Sequence, residues 1–308
     1  MGMASLSRLL LLAALWGGSF LFMRIAAPAL GALPTAFGRV ALGAAGLLGL
    51  IALLRVGLSF KGKLAATLLL GVINSGLPFL LFALAARVLP AGYSAILNAS
   101  TPLMGVLIGA AAFGERISAN KLAGVLIGLA GVAVLTQTGP LATGTAALWG
   151  VAACLAATAC YGLAGFLTKR WIADRGGLDS RVVALGSQLG AVLLLLPLMA
   201  WQASSQPLGW PEAGAEVWLA MLALGLLCTS LAYVLYFRLI ADVGPLKALT
   251  VTFLIPPFGI FWSWLALGET ATLSQALGGA LIALALWLVL RPEAPAARAA
   301  APDEDWSI

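Results

Sequence analysis

Two glutamates in a repeated motif are the first residues whose type and spacing suggest chemistry. The segments "PLMGVLIGAAAFGE" at 102–115 and "PPFGIFWSWLALGE" at 256–269 share Pro, a Gly three positions later and a final Gly-Glu, 154 residues apart. Inside a membrane, Glu115 and Glu269 would be candidate gating groups. At short turns, a glutamate instead stabilises the positive end of a helix and caps its free N–H groups. The sequence favours this structural role and leaves gating as the alternative.

Uncharged polar and aromatic side chains within apolar stretches are candidates for binding a solute. An amide such as Asn74 needs a partner in apolar surroundings, and either a helix–helix hydrogen bond or a substrate would supply one. Tyr161 and Tyr233 lie well inside their stretches, where a wet cavity would satisfy each phenol. The candidate substrate-binding residues are Trp16, Phe20, Asn74, Phe79, Asn98, Tyr161, Tyr233, Phe258 and Trp262.

Arg39 lies about one turn inside the second apolar stretch. We expect it to extend to the membrane interface or to bind a neighbouring helix end, as long basic side chains do. Contact with a substrate carboxylate is the alternative. The second copy of the repeat has Val182 at this position, so Arg39 is not part of the repeated scaffold.

Prolines interrupt several of the apolar stretches. Pro removes a helical hydrogen bond, and membrane helices tolerate this where neighbours or water satisfy the freed carbonyl. Pro102 and Pro256 occupy the same position of the repeat. They therefore predict a bend, shared by both copies, that lines a cavity.

The missing charges exclude several kinds of chemistry. The sequence has no histidine, and its eleven acidic residues fall in loops, turns, helix ends or the tail. A membrane enzyme would need an acid/base pair or a metal cluster, so we predict no enzyme, no cofactor and no metal. The net charge of +6 comes from short basic clusters between apolar runs, which argues against nucleic-acid binding.

The elements that must position these residues are membrane helices. The chain is 62% hydrophobic and only 9% charged, whereas soluble domains carry about 25% charged residues. Ten apolar stretches can each cross about 30 Å of hydrocarbon. They run approximately 8–27, 34–54, 64–86, 91–112, 119–137, 145–171, 182–202, 215–239, 245–267 and 272–290. This predicts an all-α polytopic membrane protein with ten transmembrane helices.

The ten stretches form two copies of a five-helix unit. We assign the first repeat to 1–138, the second to 144–291 and a disordered cytoplasmic tail to 292–308. An odd number of spans inverts the second copy relative to the first. With both termini in the cytoplasm, fourteen of the 17 basic residues lie inside, and only Arg24, Arg39 and Arg87 lie outside.

This pattern resembles the drug/metabolite transporter superfamily, and its EamA-type branch most of all. The residues that carry the resemblance are Trp16-Gly17, Arg24, Arg39, Pro102, Phe113 to Arg116, Tyr161-Gly162, Lys169, Pro256 and Leu267 to Glu269. The resemblance implies a basket of helices around a central cavity in a bacterial inner membrane. Within the superfamily the chain looks similar to amino-acid and metabolite exporters, including the YddG-like exporters of aromatic amino acids.

The sequence therefore predicts a secondary transporter that exports small amphipathic metabolites by alternating access. Amino acids, including aromatic ones, are the expected substrates, and lipid is the expected surroundings; a monomer is compatible with the pattern. Because no carboxylate or histidine is expected within the membrane, we predict that transport is not strictly proton-driven. The alternatives are export of other neutral metabolites or drugs, a passive pore, or a membrane scaffold that transports nothing.

Overall fold

The architecture is helical throughout the part of the chain that can be described. A computed structural model describes residues 2–115, 117–137, 145–205, 210, 213–243 and 251–290. Every secondary-structure element within these ranges is a helix. The predicted tail at 292–308 lies outside them.

The first half of the chain forms α1 (Met3–Leu30), α2 (Ala32–Leu53), α3 (Leu64–Gly71), α4 (Leu77–Ala86), α5 (Ala91–Asn98), α6 (Thr101–Phe113) and α7 (Ala119–Gln137). A π-helical segment, Val72–Gly76, joins α3 to α4. We call it the first π segment. It makes Leu64–Ala86 one continuous helical stretch.

The second half forms α8 (Thr145–Trp171), α9 (Ser180–Ser205), α10 (Ala215–Leu222), α11 (Ala232–Val243), α12 (Val251–Leu267) and α13 (Leu273–Leu290). The second π segment, Ala223–Leu231, joins α10 to α11. A short 3₁₀ turn, Ala173–Arg175, follows α8.

These helices have the length and composition of membrane spans. Within the described ranges, seven helical stretches are long and apolar enough to cross a bilayer, and three apolar helices are shorter. Hydrocarbon offers no partner for backbone N–H and C=O groups, so a helix that satisfies them internally is the form such a sequence must adopt. The prediction of an all-helical, multi-pass membrane protein is confirmed, whereas ten spans in two inverted repeats stays a prediction.

The repeated Gly-Glu pair has a structural reason at both of its positions. Gly114 and Gly268 have φ angles of +69° and +66° and follow the last residues of α6 and α12. Glycine adopts this left-handed conformation without steric cost and commonly ends helices in this way. Each following glutamate N–H then bonds back to the helix, Glu115 to the Gly109 carbonyl at 3.0 Å and Glu269 to the Ser263 carbonyl at 3.3 Å.

The two prolines of the motif differ in their effect. The helix is interrupted before Pro102, where α5 ends and α6 begins, but α12 runs without interruption through Pro256. The hydroxyls of Ser100 and Thr101 donate to the carbonyls of Leu97 and Asn98, at 2.7 and 2.8 Å. These bonds satisfy carbonyls that the break sets free. Leu254 and Ile255, at the corresponding positions before Pro256, carry no hydroxyl. The two copies therefore differ here, because the helix is interrupted in the first copy and continuous in the second.

The helices pack in pairs that draw on both halves of the chain. Helix α1 packs along α12, α2 along α9, and α7 along α13, while α8 lies against α4 and α6. Some of these contacts leave no room for a side chain. A Cβ added to Gly71 would lie 2.0 Å from the Ser187 carbonyl oxygen, and one added to Gly190 would lie 2.0 Å from that of Leu68. Helix α3, which leads into the first π segment, is thereby packed closely against α9.

Candidate functional site

A buried arginine lies at the centre of the polar groups between the helices. Arg39 is only 6% exposed. Its Nε donates to Thr229 Oγ1 at 3.2 Å, and its guanidinium carbon lies 3.7 Å from the centre of the Phe79 ring. Its Nη1 also contacts Met23 Sδ at 3.7 Å. The ion pairs found among the described residues involve Arg8, Arg24, Arg181 and Arg238, and none includes Arg39.

The expectation that Arg39 extends to the membrane interface is therefore wrong. Arg39 is the eighth residue of α2, about 10 Å from the beginning of the helix at 1.5 Å per residue. It shares the buried face of α2 with Ala36, Gly43 and Leu47, which follow the helical spacing of three to four residues. This face packs on α9 and the second π segment, so the side chain is enclosed by neighbouring helices.

A network of hydroxyls and amides includes Tyr233, which is also close to Arg39. The Tyr233 hydroxyl is hydrogen-bonded to the side chains of Asn74 and Ser75. Ser75 Oγ lies 3.0 Å from Ser187 Oγ and accepts a hydrogen bond from Gln188 Nε2 at 3.1 Å. Asn74 thus has the helix-to-helix partner that its apolar surroundings demand, and that partner is Tyr233, another predicted site residue.

The two π segments bring these polar groups together. The first carries Asn74 and Ser75, and the second carries Cys228 and Thr229 at positions 154 residues later. A π turn inserts an extra residue into the helical ladder and is frequent at functional sites. In the second π segment the Thr229 hydroxyl donates to the Leu224 carbonyl five positions earlier, at 3.0 Å. Thr229 therefore accepts from Arg39 while satisfying an irregular turn.

Aromatic rings form one wall next to Arg39. Phe20 meets Phe82 edge-on at 5.4 Å between ring centroids, and Phe82 stacks on Tyr161 at 6.2 Å. Tyr161 and Tyr233 are both close enough to Arg39 to interact with its charge. The structure thus brings together five of the predicted binding residues, which are Phe20, Asn74, Phe79, Tyr161 and Tyr233.

The other four predicted binding residues have different surroundings. Trp16 packs on Tyr236, with ring centroids 5.3 Å apart. Trp262 donates its indole N–H to the Ala14 carbonyl at 3.0 Å, which ties α12 to α1. The remaining two are Phe258, whose Cβ lies 2.7 Å from the place a Gly17 Cβ would take, and Asn98, half-buried at the end of α5.

The two motif glutamates have different surroundings. Glu269 Oε2 accepts from the Ala91 backbone N–H at 3.1 Å, which caps α5, and its Oε1 lies 3.4 Å from Arg24 Nε. Arg24 also donates to the Ala86 carbonyl at 2.9 Å. We call this group the Arg24–Glu269 clamp. The sequence favoured a capping role for Glu269, and Glu269 does cap a helix. The capped helix is α5, in the first half of the chain, and not the helix that follows Glu269 in the sequence. Glu115 is exposed.

Sequence reasoning missed Gln188 and underrated Arg39. Gln188 is fully buried in α9, a helix that otherwise presents mainly small and apolar groups to its neighbours. The signal was available, because a lone amide in an apolar stretch was the argument that selected Asn74. For Arg39 the signal was the buried face of α2, which a helical projection of 36–47 would have shown.

The residues around Arg39 supply groups of the kind that bind ligands. Among the described residues, no group of three or more His, Cys, Asp or Glu could hold a metal ion. The groups recorded around Arg39 are hydroxyls, a thiol, a thioether and aromatic rings. A guanidinium in such surroundings matches an anion with apolar parts, since the fork of N–H donors pairs with carboxylate geometry.

Comparisons with known proteins agree with a transport role. The model of the EamA-like transporter family matches residues 4–137 and again 148–291. A "Probable terminal-alkyne amino-acid exporter" of Streptantibioticus cattleyicolor is 29% identical over 202 residues, which cover 66% of this chain and 65% of the exporter. The "Uncharacterized transporter YvbV" of Bacillus subtilis is 31% identical over 203 residues, covering 65% of this chain and 63% of YvbV.

A solved crystal structure has the same fold. It superposes with a TM-score of 0.62 at 21% identity, covering 94% of this chain and 98% of the other. The chain spans just under two thirds of the length of the two relatives named above.

Proposed function

This chain belongs to the EamA-like transporter family, and we propose that it is a secondary transporter exporting small amphipathic metabolites, above all amino acids including aromatic ones. The family consists of transporters, so the prediction that the chain is not an enzyme is confirmed. The proposal concerns the substrate, its site and the transport cycle.

The observation that carries the proposal is the buried Arg39. A guanidinium taken out of water is costly unless an anion and further hydrogen bonds compensate for the lost hydration. Thr229 and Phe79 offer a hydroxyl and a ring face, but no acidic side chain among the described residues pairs with Arg39. We infer that the carboxylate of the substrate is the missing anion.

The rings beside Arg39 favour a substrate with an apolar or aromatic side chain. Phe20, Phe82 and Tyr161 form a continuous ring contact, and Tyr161 interacts with the Arg39 charge. Stacking on such rings contributes about 0.5–1.5 kcal/mol beyond burial. The name of the Streptantibioticus relative, an amino-acid exporter, points to the same substrate class.

Alternating access around this site is the proposed cycle. The packing of α1 on α12 has its counterpart in α8 on α6, and α2 packs on its own counterpart, α9. Such pairing supports ten spans in two inverted repeats, divided at 1–138 and 144–291. Inverted repeats place the substrate where the two copies meet. The basic residues support a bacterial inner membrane location with both termini in the cytoplasm.

Counterflow in proteoliposomes tests the proposal. Vesicles loaded with unlabelled phenylalanine should take up external labelled phenylalanine transiently, and uptake should saturate. A carrier gives this trans-stimulation because the return of the loaded site is faster than that of the empty one. Uptake that rises linearly with concentration would indicate the pore, and uptake equal to that of empty vesicles would indicate a scaffold.

Neutral metabolites and drugs without a carboxylate form the second substrate class. The same vesicles test this alternative. If it holds, compounds without a carboxylate should compete with labelled phenylalanine as strongly as other amino acids do. The buried guanidinium argues against this outcome.

A further inference from the structure

The amide of Gln188 is a buried polar group whose hydrogen bonding is incomplete. The residue is 0% exposed, and its Nε2 donates to Ser75 Oγ at 3.1 Å. Its Oε1 has no hydrogen-bond partner among the described residues. A buried carbonyl oxygen without a donor costs about 1–3 kcal/mol. Gln188 therefore presents an acceptor for which the surrounding helices supply no proton.

This oxygen lies close to the environment of Arg39. A Cβ built on Gly43 would lie 3.5 Å from Gln188 Oε1 and 2.8 Å from Thr229 Cγ2. Thr229 turns its methyl group toward this point and its hydroxyl toward Arg39 Nε, at 3.2 Å. Gly43 and Arg39 are four residues apart on α2, so they are neighbours on one helix face, about 5–6 Å apart.

Gly43 has no side chain, which lets the Thr229 methyl group pack against α2 next to this oxygen. Any larger residue would contact Thr229 and cover Gln188 Oε1. The first π segment reaches the same amide from the other side through Ser75. Gln188 Oε1 and the Arg39 guanidinium thus both lie near the Thr229 side chain.

We infer that Gln188 Oε1 binds the α-ammonium group of the substrate while Arg39 binds its carboxylate. This inference rests on the proposed function and adds the second charged group of the substrate. An ammonium is a donor without acceptor capacity, which is what an unpartnered carbonyl oxygen requires. A free metal cation would be repelled by Arg39, whereas a zwitterion brings its positive charge together with the carboxylate that offsets it.

The consequence is selection for zwitterions over molecules that carry only one of the two charges. A carboxylic acid without an amine would leave Gln188 Oε1 unpaired, and an amine without a carboxylate would leave Arg39 unpaired. A site that hydrogen-bonds a group rejects analogues lacking it more strongly than an apolar pocket rejects an extra group. Gln188 would then be a specificity-determining residue that touches the substrate.

The test is competition against labelled phenylalanine counterflow by unlabelled phenylalanine and by 3-phenylpropionate, which differs only in lacking the amine. In the wild-type protein phenylalanine should compete about tenfold or more better, the effect of one hydrogen bond to a charged group. Gln188→Met keeps the size of the side chain but removes the acceptor. In this variant the ratio of the two inhibition constants should fall about tenfold, mainly through weaker binding of phenylalanine.

Gln202→Met is the matched control, since it makes the same change on the same helix at a half-buried position four turns away. It should leave the ratio unchanged. Gln188→Asn, which keeps a shorter amide, should fall between the wild type and Gln188→Met and replaces the latter if that variant does not fold.

Three outcomes distinguish a failure of this inference from a failure of the proposed function. Equal competition by the two compounds in the wild-type protein overturns the inference regardless of any variant. An unchanged ratio in Gln188→Met also overturns it and would mean that a buried water satisfies the oxygen. An absence of phenylalanine counterflow in the wild-type protein would instead overturn the proposed function itself.

Discussion

Two arginines face the interior of this protein, and their partners are of opposite kinds. Arg24 is part of the Arg24–Glu269 clamp, where it meets a carboxylate and a backbone carbonyl with 29% of its side chain exposed. Arg39, on the next helix, is 6% exposed and meets a hydroxyl, a sulfur atom and a ring face. The more deeply buried guanidinium thus has the weaker set of partners.

This difference separates a structural charge from a functional one. The clamp joins α1 to the beginning of α5 and to the turn after α12, so its charges hold three elements at one end of the protein. An arginine without a carboxylate stabilises nothing that an apolar residue of similar size would not stabilise better. The presence of Arg39 at this buried position is explained when a ligand supplies the anion. The same chemical change at the two positions should therefore have opposite effects.

The largest effect is expected for Arg39→Gln. Removing the charge should lower the apparent affinity for phenylalanine by about 10- to 100-fold, which corresponds to about 1.5–3 kcal/mol for a hydrogen bond to a charged group. The free energy of unfolding should stay the same or rise, because a buried charge has been removed. Counterflow, normalised to the amount of monodisperse folded protein, measures the first quantity, and thermal unfolding in detergent measures the second.

Arg24→Gln is the matched comparison for that experiment. It should lower the melting temperature and leave the apparent affinity for phenylalanine within about twofold of the wild type once the signal is normalised. If Arg24→Gln abolished binding and Arg39→Gln only destabilised the protein, the two roles would have to be exchanged.

An intermediate effect is expected for Glu269→Gln. This variant weakens the ion pair with Arg24 and the cap on the Ala91 N–H. Weakening the cap and this partly buried ion pair should together cost about 1–2 kcal/mol of unfolding free energy. The readout is the melting temperature of the purified protein. Substrate preference should not change.

Glu115→Gln compares the same motif position in the other half. Glu115 is exposed, and exposed carboxylates contribute little to stability, so this change should shift the melting temperature less than Glu269→Gln does. Equal decreases in melting temperature for Glu269→Gln and Glu115→Gln would show that the Arg24–Glu269 clamp does not distinguish the two motif glutamates.

Among the changes in substrate affinity, the smallest is expected for Tyr161→Leu. Losing a ring that stacks on an aromatic solute costs about 0.5–1.5 kcal/mol, or about two- to tenfold in affinity. The loss should be larger for phenylalanine than for alanine, measured by competition with both. Phe113→Leu, which removes a ring stacked on Phe166 at 4.5 Å, is the control and should not alter the ratio. An unchanged ratio in Tyr161→Leu would exclude the ring wall from the site.

The membrane character and the helices could be predicted because they depend on local pattern. Apolar length alone located the helical stretches of the described residues to within several residues, and the second predicted span, 34–54, corresponds to Ala32–Leu53. The beginning of the predicted span 245–267 lies outside the described residues. The position of Arg39 depends on a different property, which face of α2 is buried. Basic residues of membrane proteins usually lie in loops or at the interface, and that generalisation produced the wrong prediction for Arg39. The spacing of Ala36, Arg39 and Gly43 instead indicates a face of α2 that is buried.

Long-range partners could not be predicted in the same way. Glu269 was recognised as a capping residue, but the helix it caps begins at Ala91, and no local signal connects the two. Asn74 and Tyr233 were each selected for a polar group in an apolar stretch, and nothing in the sequence indicated that the two would bond to each other. Gln188 lies beside Gly43 because α9 packs beside α2, and no local pattern in the sequence indicates this contact.

The claim that Arg39 binds the substrate carboxylate is tested most directly by changing the charge on both partners. Phenylalanine and phenylalaninamide, which lacks the carboxylate, are compared as competitors of labelled phenylalanine in the wild-type protein, and again in Arg39→Gln with enough protein to give a signal. Such a cycle isolates the coupling between the guanidinium and the carboxylate. We predict that phenylalanine competes at least about tenfold better than its amide in the wild type and no better in Arg39→Gln. An equal advantage for phenylalanine in both proteins would contradict the account and show that another group binds the carboxylate.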